Sequence, residues 1–242
     1  MSPRLVKLDT APDLVDRVYK AVVDAISTGA LPAGARVTQE DLAGQLAVSR
    51  QPVLQALRLL KNENLFLDAP GRGGLLVAPL DAGLITQVYQ VRRALDALAA
   101  RLAAQQRHRL APRLLEKGRR AARGRDVAAM IDADVAFHAA IYAGSGNPLI
   151  EQSARPHWCH VRRAMGAVLQ TTGLRQTVWD EHEAIAQAIA AGQADEAERL
   201  MSSHAQRAGD DMARRLSVVS GPAPDGPLLR PAKMGARAKA RP

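Results

Sequence analysis

Apolar residues recur three and four positions apart over most of the chain, a rhythm that predicts helices rather than strands. In the first third, Leu14, Val18, Ala21, Val22, Ala25 and Ile26 share one helical face. Thr10, Pro12 and Asp13 before them supply a cap, a first-turn proline and a first-turn acid. Gly29, Pro32 and Gly34 end the helix. A second helix opens at Thr38, whose spacing to Asp41 is a capping-box pattern, and turns Leu42, Ala43 and Leu46 inward. A tight turn at Ala47 and Val48 leads to a third helix over residues 50–62. Ser49 starts it, and Val53, Ala56, Leu57 and Leu60 form its buried face. Two short apolar runs, 65–67 and 75–77, flank a Gly-rich stretch and predict a β-hairpin.

Residues 81–218 read as helices with short breaks. Leu84, Val88, Val91, Leu95, Leu98 and Leu102 make one long amphipathic helix. Others are expected over about 110–123 and 126–143, then from Asn147-Pro148 onward, with Gly173 and Gly192 separating the last ones. The chain is therefore expected to be mainly α. A winged helix-turn-helix occupies residues 10–79, an all-α bundle of about six helices occupies 81–218, and a tail occupies 219–242.

Composition narrows the function classes. Of 242 residues, 3% are aromatic, which argues against an all-β fold. The single cysteine, Cys159, excludes an intrachain disulfide framework and a Cys₄ or Cys₂His₂ zinc finger. No uninterrupted apolar run reaches the roughly 18 residues that span a bilayer. The start, Met1-Ser2-Pro3-Arg4, lacks an apolar secretion core. A cytoplasmic protein with no membrane partner is expected. The net charge is +9, and four of those charges come from the Pro- and Gly-rich tail after Val219, read as disordered. Its basic residues are either simply solvated or add nonspecific attraction to phosphate.

Two short helices joined by a turn form a helix-turn-helix, and a following hairpin forms a wing. In that arrangement the start of the second helix meets base edges in the major groove. Arg50 can bridge two acceptors of guanine, and Gln51 and Gln55 can pair with adenine. The Ser49 hydroxyl and the free amides beside it suit a phosphate, and Arg72 sits at the wing tip. Residues 12–79 resemble the winged helix-turn-helix of the GntR family of bacterial transcription regulators. The likeness rests on Leu31-Pro32-Ala33-Gly34-Ala35-Arg36-Val37, Glu40-Asp41-Leu42-Ala43, Val48-Ser49-Arg50-Gln51-Pro52-Val53 and Ala56-Leu57-Arg58-Leu59-Leu60. It implies binding of double-stranded operator DNA by Arg36, Thr38, Ser49, Arg50, Gln51, Gln55 and Arg72. Two departures stand out. Leu54-Gln55 replaces the family's second Arg-Glu pair, removing one DNA-contacting arginine. Asn64 replaces a glycine, a mild change because Asn tolerates the left-handed backbone.

Four residues of the bundle share one geometric pattern. Asp134 and His138 lie four apart, on one helix face. His182 precedes Gly192 by ten residues and His204 follows it by twelve. At about 1.5 Å per residue, an antiparallel hairpin about Gly192 brings the two histidines to the same height. A carboxylate and three imidazoles suit Zn²⁺, Ni²⁺ or Mn²⁺, although each is also an ordinary polar residue. Residues 84–207 resemble the helical FCD domain carried by one branch of the same family. The matching stretches include Val91-Arg92-Arg93-Ala94-Leu95-Asp96, Asp134-Val135-Ala136-Phe137-His138, Gly146-Asn147-Pro148 and Glu181-His182-Glu183-Ala184-Ile185. Ala190-Ala191-Gly192, leading to Met201-Ser202-Ser203-His204, completes them. The resemblance implies that Asp134, His138, His182 and His204 bind a divalent metal ion. It also implies that the metal, with Arg92, receives a small organic acid effector. A helix-surface salt bridge from Arg92 to Asp96 is the competing reading. Gln193 stands where the family has Asp, so Asp195 is a candidate cap that would shift the last helix.

His157, Cys159 and His160 are open to four readings: a second metal site, a redox sensor, a place at the ligand pocket for the two histidines, or structural packing. His108, in a basic run, is expected to be solvated. A ligand-responsive regulator, working as a homodimer on palindromic operators, is the function expected. A sensor of the metal alone and an Asp/His metalloenzyme are the alternatives. Glu181 and Glu183, the acids beside His182, are expected to point away from its face, which leaves no general base.

Overall fold

The computed structural model describes residues 14–71, 73–124, 126–172 and 177–220. The Thr10 start signal, the wing-tip Arg72, the break at Gly173 and the tail beyond Ser220 lie outside the described residues.

The first unit runs α1 (Leu14–Thr28), β1 (Arg36–Val37), α2 (Gln39–Leu46), α3 (Arg50–Asn62), β2 (Phe66–Asp68) and β3 (Leu75–Val77). Thr38 caps α2 as its spacing predicts, accepting from the Asp41 amide at 3.1 Å. Ala47, with φ 52°, turns the chain into α3. The wing is a three-stranded antiparallel sheet in the order β1-β3-β2. Strand β1 goes beyond the expected hairpin, because two residues carry no periodicity; it adds the pairs Arg36↔Leu76 and Val37↔Leu75. Asn64 takes φ 60°, the left-handed backbone expected of it.

Six further helices follow: α4 (Ala82–Gln105), α5 (Pro112–Arg123), α6 (Val127–Gly144), α7 (Pro148–Thr172), α8 (Val178–Ala191) and α9 (Ala194–Ser220). Helices α4 and α9 pair side by side. Arg101 meets Asp195 and Glu198 at one end, and Arg93 meets Ser202 and Gln206 further along, so the pair is antiparallel. Small residues let them approach. Ala99, Ala100, Ala103 and Ala104 are fully buried, and a Cβ on Gly209 would lie 2.7 Å from Tyr89 Cβ. The family-typical Asp missing after Gly192 does not displace α9. The Gln193 carbonyl accepts from the Ala197 amide, and Asp195 is a first-turn acid rather than the cap.

Helix α6 has the length and mean hydropathy of a membrane span. It is instead a wall of the bundle core, with Met130, Ile131, Ala133, Phe137 and Ile141 buried. Helices α5 and α8 also touch closely: a Cβ on Gly118 would overlap the buried Trp179 indole. Gly118→Ala is accordingly expected to cost about 1–3 kcal/mol, read as a lower urea midpoint at unchanged m-value. An unchanged midpoint would mean the indole has room to move.

Candidate functional site

The start of α3 is presented to solvent. Ser49, Arg50, Gln51, Gln55 and Arg58 are exposed, while Val53, Ala56, Leu57 and Leu60 face the core. The Ser49 side chain makes no cap bond to α3. Arg50 pairs with Glu40 at 2.5 Å, both well exposed, so the pair is held weakly and can open. Arg36 is not an independent arm, because its guanidinium donates to the wing carbonyl of Gly73. Thr38 is engaged in capping α2. Leu54 is half-buried and leaves the exposed face without the second arginine.

The bundle brings three of the four predicted ligands into one cluster, with Asp134 beside His182. One ring nitrogen each from His138, His182 and His204 lies within 4.8 Å of the others, and all three side chains are buried. His182 Nε2 is 3.2 Å from His204 Nε2 and 3.6 Å from Asp134 Oδ1. A tetrahedral ion with bonds of 2.0–2.1 Å holds its ligand atoms about 3.3 Å apart, close to the His182–His204 and His182–Asp134 separations. Gly192 adopts φ 77° and ends α8, making the antiparallel hairpin that levels His182 with His204. Phe137 stacks on the His182 ring at 4.0 Å and Trp179 meets it edge-on at 4.6 Å. Burial and the nearby Arg92 cation keep His138 well below the usual imidazole range, hence neutral and free to ligate. Burial raises the Asp134 carboxyl.

Two carboxylates depart from expectation. Glu183 does point away, pairing with Arg119 on α5. Glu181 does not: its Oε2 accepts from His204 Nδ1 at 2.8 Å, and Arg207 Nε holds its Oε1 at 3.1 Å. That bond puts the proton on His204 Nδ1 and leaves Nε2 with its lone pair toward the centre. Asp96, read as the partner in a surface bridge, is fully buried, and so is Arg92. The ion pair forms at 3.1 Å inside the bundle. Tyr142 donates to Asp96 Oδ1, and the Arg92 guanidinium lies 3.9 Å above the Trp158 ring. Arg92 Nε is buried without a hydrogen-bond partner. A cavity of about 50 Å³ is lined by Arg92, Asp96, Asp134, His138 and His204.

Cys159 and His160 have structural places. Cys159 is buried with the core of the N-terminal unit, and burial pushes its thiol up to about 12, far from a reactive thiolate. His160 Nε2 donates to the Glu63 carbonyl at 2.8 Å, and Arg163 donates to the Ala78 carbonyl. Helix α7 thus clamps the end of α3 and the residue after the wing. His108 is not simply solvated: its ring lies over Gly144. Burial lowers His160 to about 4. Below pH 6.5 the unfolded chain takes up a proton that the folded chain refuses until about pH 4. Stability therefore falls as pH drops through that window, by up to about 3 kcal/mol from this residue. His160→Gln should flatten the pH dependence of the metal-free chain in urea titrations; an unchanged slope would assign the loss to other groups.

Comparison with known proteins agrees with these two units. Residues 14–76 match the profile of the bacterial regulatory proteins of the gntR family, and residues 87–207, half of the chain, match the FCD domain. An uncharacterized HTH-type transcriptional regulator of Bacillus subtilis (strain 168), YdhC, is 32% identical over 96 residues. That stretch is 40% of this chain and 42% of that protein, less than half of its relative's length. A probable D-xylose utilization operon transcriptional repressor of Paenarthrobacter nicotinovorans is 26% identical over 198 residues, 81% of this chain and 87% of that one. The solved structure of E. coli McbR/YncC superposes with a TM-score of 0.71 at 22% identity, over 85% of this chain and 99% of that one, and so shares the fold. The chain belongs to the GntR family of bacterial transcriptional regulators, in the branch that joins a winged helix-turn-helix to an FCD domain.

Proposed function

We propose that this regulator binds operator DNA as a homodimer through α3, and that a small carboxylate effector at a divalent metal sets its affinity. The observation that carries the reading is the convergence of His138, His182, His204 and Asp134 beside an arginine with an open Nε. These four residues would hold the ion, with Glu181 orienting His204. A bound Zn²⁺, Ni²⁺ or Mn²⁺ supplies a Lewis-acid anchor for an anionic oxygen. Arg92, charged at any working pH and fixed by Asp96 and Trp158, supplies N–H donors in a rigid fork. A sensor of the metal alone would not need that buried arginine.

The route to DNA runs through α7. Trp158 floors Arg92, and one turn along the same helix His160 and Arg163 hold the DNA-binding unit at Glu63 and Ala78. A ligand that moves Arg92 against Trp158 tilts α7 and re-aims α3 relative to a second copy. By linkage, operator DNA changes effector affinity by the same factor.

Capture of genomic fragments by the purified chain at near-physiological salt tests this reading. A recovered palindromic motif is expected, with affinity that shifts when zinc and small organic acids are supplied. Gln51→Ala and Arg50→Ala should each weaken the selected operator by about 5- to 150-fold while leaving nonspecific DNA nearly unchanged. Equal losses on operator and random DNA would remove α3 from sequence reading.

A further inference from the structure

The cavity beside His138 and His204 continues beyond them along α9. His204, Ala208, Met212 and Arg215 all line it, and the eleven steps from first to last cover about 16 Å of helix. Its character changes along that length. The near end holds the metal-ligating side chains and Arg92. The far end is closed by Asp211, whose carboxylate is already held by Arg215 at 2.9 Å and Arg214 at 2.5 Å. Between the two ends, the side chains of Met165, Val168 and Leu169 from α7, Val178 from α8 and Met212 from α9 form the walls. Tyr89 also lines the cavity, beside Arg92; none of the other wall side chains offers a strong hydrogen bond.

We infer that the effector is a short carboxylic acid with a single charge and an apolar tail, its carboxylate beside Arg92 and its tail between α7 and α9. The inference rests on the reading of the Arg92 end as a carboxylate site and adds what the rest of the ligand must be. A second carboxylate would lose its hydration against Val168, Leu169 and Met212. A hydroxyl placed along the walls would go unpaired and cost about 5- to 150-fold in affinity. A volume of about 50 Å³ has room for about three to five water-sized groups, and the carboxylate takes three of them, so the tail is one or two carbons long.

Calorimetry on the zinc-loaded full-length chain with acetate, propionate, butyrate and pentanoate, and with succinate and gluconate, tests this directly. Affinity should rise about fourfold from acetate to propionate and fall for the longer acids, and propionate should bind more tightly than succinate or gluconate. Val168→Thr, which keeps the volume and adds a hydroxyl, should reduce that increment while leaving acetate unchanged. Met212→Gln should do the same from the opposite wall if the first variant fails to fold. Tighter binding of succinate or gluconate than of propionate, or no gain from acetate to propionate, overturns the apolar-tail inference alone. No binding of any acid, acetate included, overturns the carboxylate reading beneath it as well.

Discussion

Excess Zn²⁺ is expected to raise the melting temperature of the metal-free chain by about 10 °C, and His182→Ala to abolish that rise. A ligand present at about a thousand times its dissociation constant stabilises the folded state by about 4 kcal/mol. For a chain of this size that is about 2–4 °C per kcal/mol. His182 is the central donor, because its Nε2 faces both His204 and Asp134 and its side chain is fully buried. The variant leaves a hole and lowers the baseline, so the readout is the difference with and without zinc, from which the hole cancels. His138→Ala and His204→Ala should reduce the rise similarly. The effect should also shrink as the solution becomes acid. Burial raises the Asp134 carboxyl, so its proton competes with the ion, and lower pH favours the proton. An equal zinc-dependent rise in His182→Ala would place the ion elsewhere.

Asp96→Ala should cost about 3–5 kcal/mol, the largest loss expected from any single substitution in the bundle, because it leaves the Arg92 cation buried without a counter-charge. The carboxylate is fully buried and serves three partners: Arg92 at 3.1 Å, the Tyr142 hydroxyl and, more loosely, His138 Nδ1 at 3.6 Å. Arg92 cannot shed its proton to escape the penalty, so the stranded charge outweighs the two lost hydrogen-bond partners. The double variant Asp96→Leu/Arg92→Met removes both charges and keeps the volume, so it should recover most of the stability in urea titrations while losing the effector. Equal instability of the single and double variants would mean that packing, rather than the stranded charge, sets the cost.

Much of this arrangement was legible because helical periodicity is local. Asp134 and His138 share a face at any helical spacing of four, and a glycine midway between His182 and His204 levels them without knowledge of the other helices. Asp96 was legible as a partner of Arg92 but not as a buried one, since the burial comes from Tyr142 and Trp158 on helices remote in sequence. Glu181 was misjudged for a related reason. Its own helix turns it away from the His182 face, but α9 crosses on that side and presents His204 Nδ1 and Arg207. Cys159 and His160 gave no sign of reaching into the other unit. Strand β1 was hidden by its length, because two residues pair only once β3 is in place to receive them.

The antiparallel seam between α4 and α9 has a temporal consequence. Its contacts join residues 109 and 113 positions apart, whereas the winged unit closes over a much shorter stretch of chain. During synthesis at about 5–20 residues per second, the alanine-lined face of α4 waits about 5–20 s for its partner. His204 arrives only with α9, so a nascent chain lacks one of the three clustered imidazoles until that helix is made. A chain stalled before α9 should therefore display a folded winged unit beside an open, protease-sensitive bundle that zinc cannot rescue.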